Sequence, residues 1–341
     1  MKHSTFFWFF LPTGLAMLLF IAFPLVSVVL QSVHTPHEAV LVEVENCGPF
    51  GCKKETTIDQ DATRELRNSE PLGKFVGLDI YFDRGHLAIT EVKTAWMTSE
   101  SWSGFFDKLG NLPFYRAIGF TLTFTFTVTP ILIILGLMIA LGVNALSERV
   151  KGLVIFVSLL PMIVTPLIGS LILFWMIDSR GILGTAIQWL AADPDLSLKA
   201  STGLTWLMLI IYGVWHSAPF AFVVFYAGLQ TLPMDQIESA RIDGASRWEQ
   251  VRYVIVPHLM PLIMFVALIQ LMDNFRVFEP IVGFNAEAHA QSLSWIIFND
   301  LGGETRQLSA AATSSMLTII GVAILLSPVL WRTWQDFKGK S

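Results

Sequence analysis

Apolar runs long enough to cross a bilayer recur along this chain, separated by shorter polar stretches. They fall at Phe6–Leu30, Ala117–Leu146, Leu153–Ile177, Leu204–Leu229, His258–Val282 and Ala310–Trp331. A hydrocarbon core about 30 Å thick needs about 20 helical residues at about 1.5 Å each. The pattern therefore predicts an all-α polytopic membrane protein with six transmembrane helices. Pro130, Pro161 and Pro166 predict kinks or breaks in the second and third spans, tolerable where neighbouring helices satisfy the freed carbonyls. The first run is preceded by a single lysine, Lys2, and SVVLQSVHTP follows it without a small-residue cleavage site. It reads as a retained span rather than a signal peptide.

The interval between the first two spans follows a different rhythm. Val40–Val44, Phe75–Tyr81 and Leu87–Thr90 alternate apolar and polar side chains, the pattern of short strands. A small, mostly β extracytoplasmic insertion is expected here. The organisation is thus 1–30, first transmembrane helix; 31–116, outer lobe; and 117–341, a core of five transmembrane helices. The chain's two cysteines, Cys47 and Cys52, lie in Cys-Gly-Pro-Phe-Gly-Cys, where glycine and proline form a tight turn that lets the two Cβ atoms approach. An oxidised Cys47–Cys52 pair outside the membrane is expected, with two free buried thiols as the alternative. A metal site would need about four ligands, and none are patterned nearby. The lobe could contact an external partner or brace the outer helix ends. Trp102, Phe105, Phe106, Leu109 and Phe114 have the spacing of an amphipathic helix at the outer interface. Thr121, Thr123, Thr125, Thr127 and Thr129 repeat with a period of two that fits no single helix face, so helix packing is expected of them rather than a site.

Composition agrees with the pattern. Hydrophobic residues make up 53% of the chain, charged residues 14%, and mean hydropathy is +0.59. A soluble domain carries nearer a quarter charged residues. The net charge of −5 does not suggest nucleic acid. Basic residues set the orientation. With the N-terminus in the cytoplasm, the inner side holds Lys2, Arg149, Lys151, Arg241, Arg247, Arg252, Arg332, Lys338 and Lys340, whereas the short outer loops hold Arg180, Lys199 and Arg306. Both termini are therefore expected inside.

That orientation puts the polar stretch 233–257, PMDQIESARIDGASRWEQVRYVIVP, on the cytoplasmic side. Pro233 suits a first helical turn, Gly244 suits a helix end, and Ser246 with Glu249 spells a capping box. The stretch reads as two short helices joined at a bend. An interfacial amphipathic loop with no partner has the same outline. Its residues are more specific. Glu238-Ser239-Ala240, Asp243-Gly244-Ala245 and Ile255-Val256-Pro257 resemble the EAA loop of binding-protein-dependent ABC importer permeases, departing at Ser239 and Val251. Trp215-His216-Ser217-Ala218-Pro219-Phe220, Ala227-Gly228-Leu229-Gln230-Thr231-Leu232-Pro233, Phe275-Arg276-Val277-Phe278-Glu279 and Ser309–Thr313 resemble segments of the maltose- and glycerol-phosphate-type sugar permeases. The family's Thr-Gly-Gly-Pro-like turn is replaced by Gly283–His289, and the outer lobe lies outside the resemblance.

The resemblance implies a permease subunit of an ATP-driven importer in the bacterial inner membrane, forming half of the pathway for a sugar or related polyol. It implies a second homologous permease, two cytoplasmic ABC ATPase subunits and an extracytoplasmic solute-binding protein as partners. ATP and Mg²⁺ would sit on the ATPases, leaving this chain without a cofactor. Glu238, Ser239, Ala240, Arg241, Asp243, Gly244, Ala245 and Pro257 would form the ATPase-coupling surface, with Gly244 allowing the bend.

Substrate-pathway residues are sought among polar and aromatic side chains inside spans. Asp273, Asn274, Arg276 and Glu279 form the densest group, and their spacing of three allows pairing on one helix face. An ion-pair ladder that stabilises the helix end is the alternative. Trp215 and Tyr226 could stack on a sugar ring, and His216 could donate to a hydroxyl; packing roles compete for all three. Enzyme readings find no support, because the chain has no Gly-x-x-x-x-Gly-Lys-Ser/Thr, His-Glu-x-x-His or Gly-x-Ser-x-Gly motif. The competing transport readings are an ABC permease for a non-carbohydrate solute and a secondary transporter. The latter usually carries internal repeats, and none is seen here.

Overall fold

The computed structural model describes residues 3–48, 51–302 and 307–338. It is mostly helical. Among the described residues, five helices are long and apolar enough to span a membrane: Phe7–Gln31, Pro113–Asn144, Thr202–Leu229, Arg247–Phe275 and Leu308–Arg332. A sixth candidate is the pair Glu148–Ile163 and Pro166–Met176, bent by 95°. The chain divides into two compact units, Met1–Tyr115 with Ile296–Ile319, and Arg116–Trp295 with Ile320–Ser341.

In the first unit, the first span passes through a π turn at Leu18–Ala22, closed by Phe23 N–H to the Leu18 carbonyl, just before Pro24. The wider turn accommodates a residue that cannot donate to an α-helical ladder. The lobe that follows corrects the expectation of a mostly β insertion. The strands Leu41–Gly48 and Gly51–Ile58 form an antiparallel hairpin, and His34–Thr35 pairs with Lys74–Phe75. The other alternating stretches are helical: Asp79–Phe82 and Ile89–Thr98 lie where strands were expected, and Gln60–Ser69 and Trp102–Gly110 add further helix. A left-handed residue interrupts each misread stretch, Gly77 at φ +62° and Ala88 at φ +44°, which a continuous strand does not tolerate. The two added helices are capped, the Asp59 side chain accepting from the N–H groups of Asp61 and Ala62, and that of Ser101 from Gly104. The hairpin register sets Cys47 opposite Cys52; the expected disulfide rests on side chains outside the described residues. The start of the last span is tied into this unit. Thr313 Oγ1 donates to the Ser32 carbonyl, Tyr81 Oη donates to Ser32 Oγ at 2.8 Å, and His86 Nε2 lies 3.2 Å from the Ala310 carbonyl.

The second unit is built around the fourth span. Phe222, Phe225 and Leu209 on it are buried with Phe120, Val128 and Leu132 of the second span and Leu259 of the fifth. Close approach is made possible by small residues. A Cβ on Gly136 would lie 2.6 Å from Ala221 Cβ, and one on Gly228 would lie 2.4 Å from a Leu262 methyl. The helix is not broken at Pro130 or at Pro161, whereas the third span breaks at Val164 and Thr165, both extended, just before Pro166. Thr165 precedes Pro166, and the proline ring disfavours the helical conformation there. The fifth span ends at Phe275, not Val282. Arg276 leaves the helix, and a new short helix begins at Glu279. Pro280 explains the break, since its ring would meet the Arg276 carbonyl in a continuous helix, and it sits comfortably in the first turn of the next.

Candidate functional site

The stretch from Pro233 to Pro257 folds as its sequence predicts. Met234–Ile242 is helical and ends at Asp243. Gly244 has φ +82°, its N–H donates to the Arg241 carbonyl, and Ala245 N–H donates back to the Ala240 carbonyl at 2.9 Å. This is a Schellman closure, which needs a residue without a Cβ at the left-handed position. The chain then turns at once into Arg247–Gln250. Ser246 Oγ accepts from Glu249 N–H, and Glu249 Oε2 accepts from Ser246 N–H at 2.7 Å. Both halves of the bend are thus fixed by local hydrogen bonds, with Gln250 Nε2 to the Ala245 carbonyl as a further brace.

The second helix does not stop at Pro257. A π turn at Val251–Ile255, closed by Val256 N–H to the Val251 carbonyl, carries it into Val256–Phe275, so knuckle and fifth span are one continuous helix. A groove of about 680 Å³ lies between the two arms of the bend, lined among others by Asp235, Ser239, Asp243, Tyr253, Pro257 and His258. Glu238, Arg241 and Gly244 are exposed beside it, while Ala240 and Ala245 are half-buried. The bend also presents apolar side chains that the sequence reading passed over. Ile242 is 86% exposed, Trp248 70% and Tyr253 67%. The signal was available, because each stands among charged neighbours where a solvated loop has no use for it.

The proposed pathway residues are not brought together as the sequence suggested. Arg276 Nη2 pairs with Asp273 Oδ1 at 3.0 Å, both exposed. Glu279 does not extend that ladder, because the helix has ended before it. Asn274 is buried and donates to Thr129 Oγ1 at 3.1 Å. Trp215 is half-exposed, its ring 6.0 Å from that of Tyr212. His216 stacks on Tyr212, and its Nδ1 lies 3.1 Å from the Pro161 carbonyl, a group freed by the break in the third span. Tyr226 packs on Phe222. Glu279 lies within electrostatic reach of Tyr212 and His216, and its carbonyl is 3.5 Å from Ser170 Oγ. Of these residues His216 and Glu279 lie at the broken third span, and Asp273, Asn274, Arg276 and Tyr226 have their partners elsewhere. The threonines of the second span serve helix packing, as expected, although alternate ones share one helix face. Thr121, Thr125 and Thr129, four apart, form a buried stripe that serves Leu293 N–H, the span's own backbone and Asn274.

Comparison with known proteins places this architecture. The family model described as "Binding-protein-dependent transport system inner membrane component" matches residues 132–336. A probable ABC transporter permease from Sinorhizobium fredii is 26% identical over 234 residues, covering 67% of this chain and 74% of the relative. The trehalose/maltose transport permease MalF of Thermococcus litoralis is 30% identical over 192 residues, 54% of this chain and 64% of that one. The galactooligosaccharide permease GanP of Bacillus subtilis is 27% identical over 255 residues, 71% and 60% of the two chains. Among solved structures, a bacterial ABC transporter that imports the acidic polysaccharide alginate superposes with a TM-score of 0.67 at 19% identity, covering 98% of this chain and 96% of that chain. The long apolar helices fit a multi-pass inner-membrane protein, a transport component rather than an enzyme. The chain belongs to the family of binding-protein-dependent transport system inner membrane components, the permease subunits of ABC importers.

Proposed function

We propose that this chain forms half of the translocation pathway of an ATP-driven importer for a sugar or related polyol. Its termini and the 233–257 knuckle face the cytoplasm. A second permease completes the pathway, two ATPase subunits bind below, and an extracytoplasmic binding protein delivers substrate from above. The knuckle carries the reading. The Schellman turn and capping box hold the bend in one shape, and that bend exposes Ile242 and Trp248 among charged residues, the kind of surface a protein partner covers. Glu238, Arg241 and Asp243 supply polar contacts to that partner, and the apolar side chains supply the buried centre. ATP-driven closure of the ATPases then moves the knuckle and rocks the two halves of the pathway. The sugar assignment is supported by the names of the relatives from Thermococcus litoralis and Bacillus subtilis, which import trehalose/maltose and galactooligosaccharides.

The test is ATPase activity of the reconstituted complex with its binding protein, across sugars, polyols and amino acids. Stimulation by one carbohydrate supports both parts of the reading. Stimulation by a non-carbohydrate alone keeps the coupling and rejects the cargo. Glu238→Lys tests the knuckle separately. Charge reversal at a desolvated contact costs about 2–5 kcal/mol, so the variant should reach the membrane yet lose ATPase binding. Normal transport by this variant with its ATPase bound overturns the docking assignment.

A further inference from the structure

Two helices of the outer lobe, Ile89–Thr98 and Trp102–Gly110, hold an aromatic cluster with no task in the transport reading. The Trp96 ring meets Trp102 and Phe105 edge-on, each at 5.3 Å, and Phe106 packs on Phe105 and Trp102. The rings pack on one another but not into a core. Trp96 is 57% exposed, Trp102 67%, Phe106 61%, and neighbouring Met97 82%. Lys108 Nζ fastens the two helices by donating to the Thr98 carbonyl and Oγ1 at 2.8 and 2.9 Å. The exposed face is therefore a built, rigid feature.

We propose that this helical pair is an interfacial anchor that seats Trp96, Met97, Trp102 and Phe106 in the outer-leaflet boundary between headgroups and acyl chains. Chain connectivity locates it. The second helix ends at Gly110, and the second membrane span begins at Pro113. Three residues reach no more than about 10 Å, so the cluster stays within interfacial distance of the point where the chain enters the bilayer. Tryptophan suits that depth, with an apolar ring and one N–H for the headgroup layer. Charge plays no attracting part. The pair carries Glu91, Glu100 and Asp107 against Lys93 and Lys108, and Lys108 is engaged within the lobe. Binding thus comes from apolar burial and is insensitive to salt and to anionic lipid.

A saccharide is the other occupant that aromatic rings invite, since a cleft of about 410 Å³ opens beside Trp96, Glu100, Trp102 and Phe105. The hydroxyls there are committed to the fold: Ser99 Oγ donates to the Ala95 carbonyl, and Ser101 Oγ caps its own helix. Beyond Glu100 and the two indole N–H groups nothing is left to recognise a polyol's many hydroxyls, so the lipid boundary is the better fit.

The experiment uses the whole transporter in nanodiscs of phosphatidylcholine brominated either near the headgroup or near the chain end. The emission lost on Trp102→Phe, and on Trp96→Phe, isolates each ring. Shallow bromines should quench that emission more than deep ones, consistent with seating about 5–10 Å into the boundary, and aqueous iodide should leave it almost untouched at low and high salt. Quenching by iodide without quenching by bromine overturns the proposal. So does protection from iodide by added maltose or trehalose, which would assign a saccharide site. Should the tryptophan variants fail to assemble, a spin label on Met97→Cys, read against labelled wild type, gives a second reading. Collisions with oxygen must exceed those with a water-soluble nickel chelate, and the reverse order refutes the anchor.

Discussion

Gly244 offers the sharpest test of how the knuckle is made. Its φ of +82° lies in the left-handed region, and nothing stands within 4 Å of where a Cβ would be. A side chain there would meet no atom, so the cost of substitution is conformational. For an L-residue it is about 1–2 kcal/mol, which changes the population of the closed bend by roughly 5–30-fold. Gly244→Ala should weaken ATPase binding by that factor, and Gly244→Val by at least as much because of its stiff, branched side chain. Gly244→Asn should come close to wild type, since asparagine visits the left-handed region readily. The assay is titration of the ATPase onto solubilised permease, with ATP-driven uptake into proteoliposomes as the second readout. Membrane abundance should not change across the series. If Gly244→Val binds its ATPase as tightly as wild type, the preformed bend is not what the ATPase reads. If asparagine is as damaging as alanine, the loss does not come from φ.

Gly136→Leu should destabilise the helical core. Its Cβ would lie 2.6 Å from Ala221 Cβ and 2.9 Å from the Phe222 nitrogen, an overpacking worth about 1–3 kcal/mol; Gly119→Leu, with open space, is the control, and both are read by thermal unfolding in detergent. Asp178 accepts from Lys199 Nζ at 2.6 Å and from Arg180 N–H, and these bonds, the lysine's first, hold its carboxyl below the ordinary value. An unfolded aspartate titrates near about 4, so the pair's contribution is complete above that pH and is lost as pH falls through the lower folded value. Lys199→Ala should therefore lower the Tm at pH 7 and have a fading effect below about pH 4; an equal effect at both would refute the ion-pair account. Ala267→Pro, in the fifth span, should break its helix at a cost of about 3 kcal/mol and leave ATP hydrolysis running with little transport, measured as the ratio of solute moved to ATP consumed.

The parts of this protein legible in its sequence are those governed by local chemistry. Ser246, Glu249 and Gly244 each dictate a specific hydrogen bond or dihedral, and the bend followed from them. Pro166 broke the third span as expected, because Thr165 before it was forced to extend. Misreadings came where two local rules competed. Phe75–Tyr81 and Leu87–Thr90 alternate like strands, but each is short and interrupted by a left-handed residue, Gly77 and Ala88, and helix won. Asp273, Arg276 and Glu279 have helical spacing, yet the ladder fails at Pro280, which outweighs the spacing. The threonines do pack between helices as expected, but through a stripe of period four, every second one, that a period of two conceals. The contacts that complete that stripe, Leu293 and Asn274, are distant in sequence and follow only from packing.

The continuity of the knuckle with the fifth span changes what the loop can transmit. A flexible joint at Pro257 would absorb a displacement of Trp248 within a few residues. Instead, the π turn at Val251–Ile255 lets the helix pass the proline intact, so Arg247–Phe275 is one element of 29 residues, about 43 Å long at the usual rise. Its far end holds Asn274, hydrogen-bonded to Thr129 on the second span, and Phe275, which lies 3.0 Å from where a Cβ on Gly321 of the last span would be. A push on the knuckle end therefore reaches two other spans through one hydrogen bond and one packed ring. In the proposed mechanism this rigid element carries ATPase motion to the pathway. The break at Arg276 then has a use, because it ends the element at Phe275 and lets the helix that starts at Glu279 turn as a separate piece.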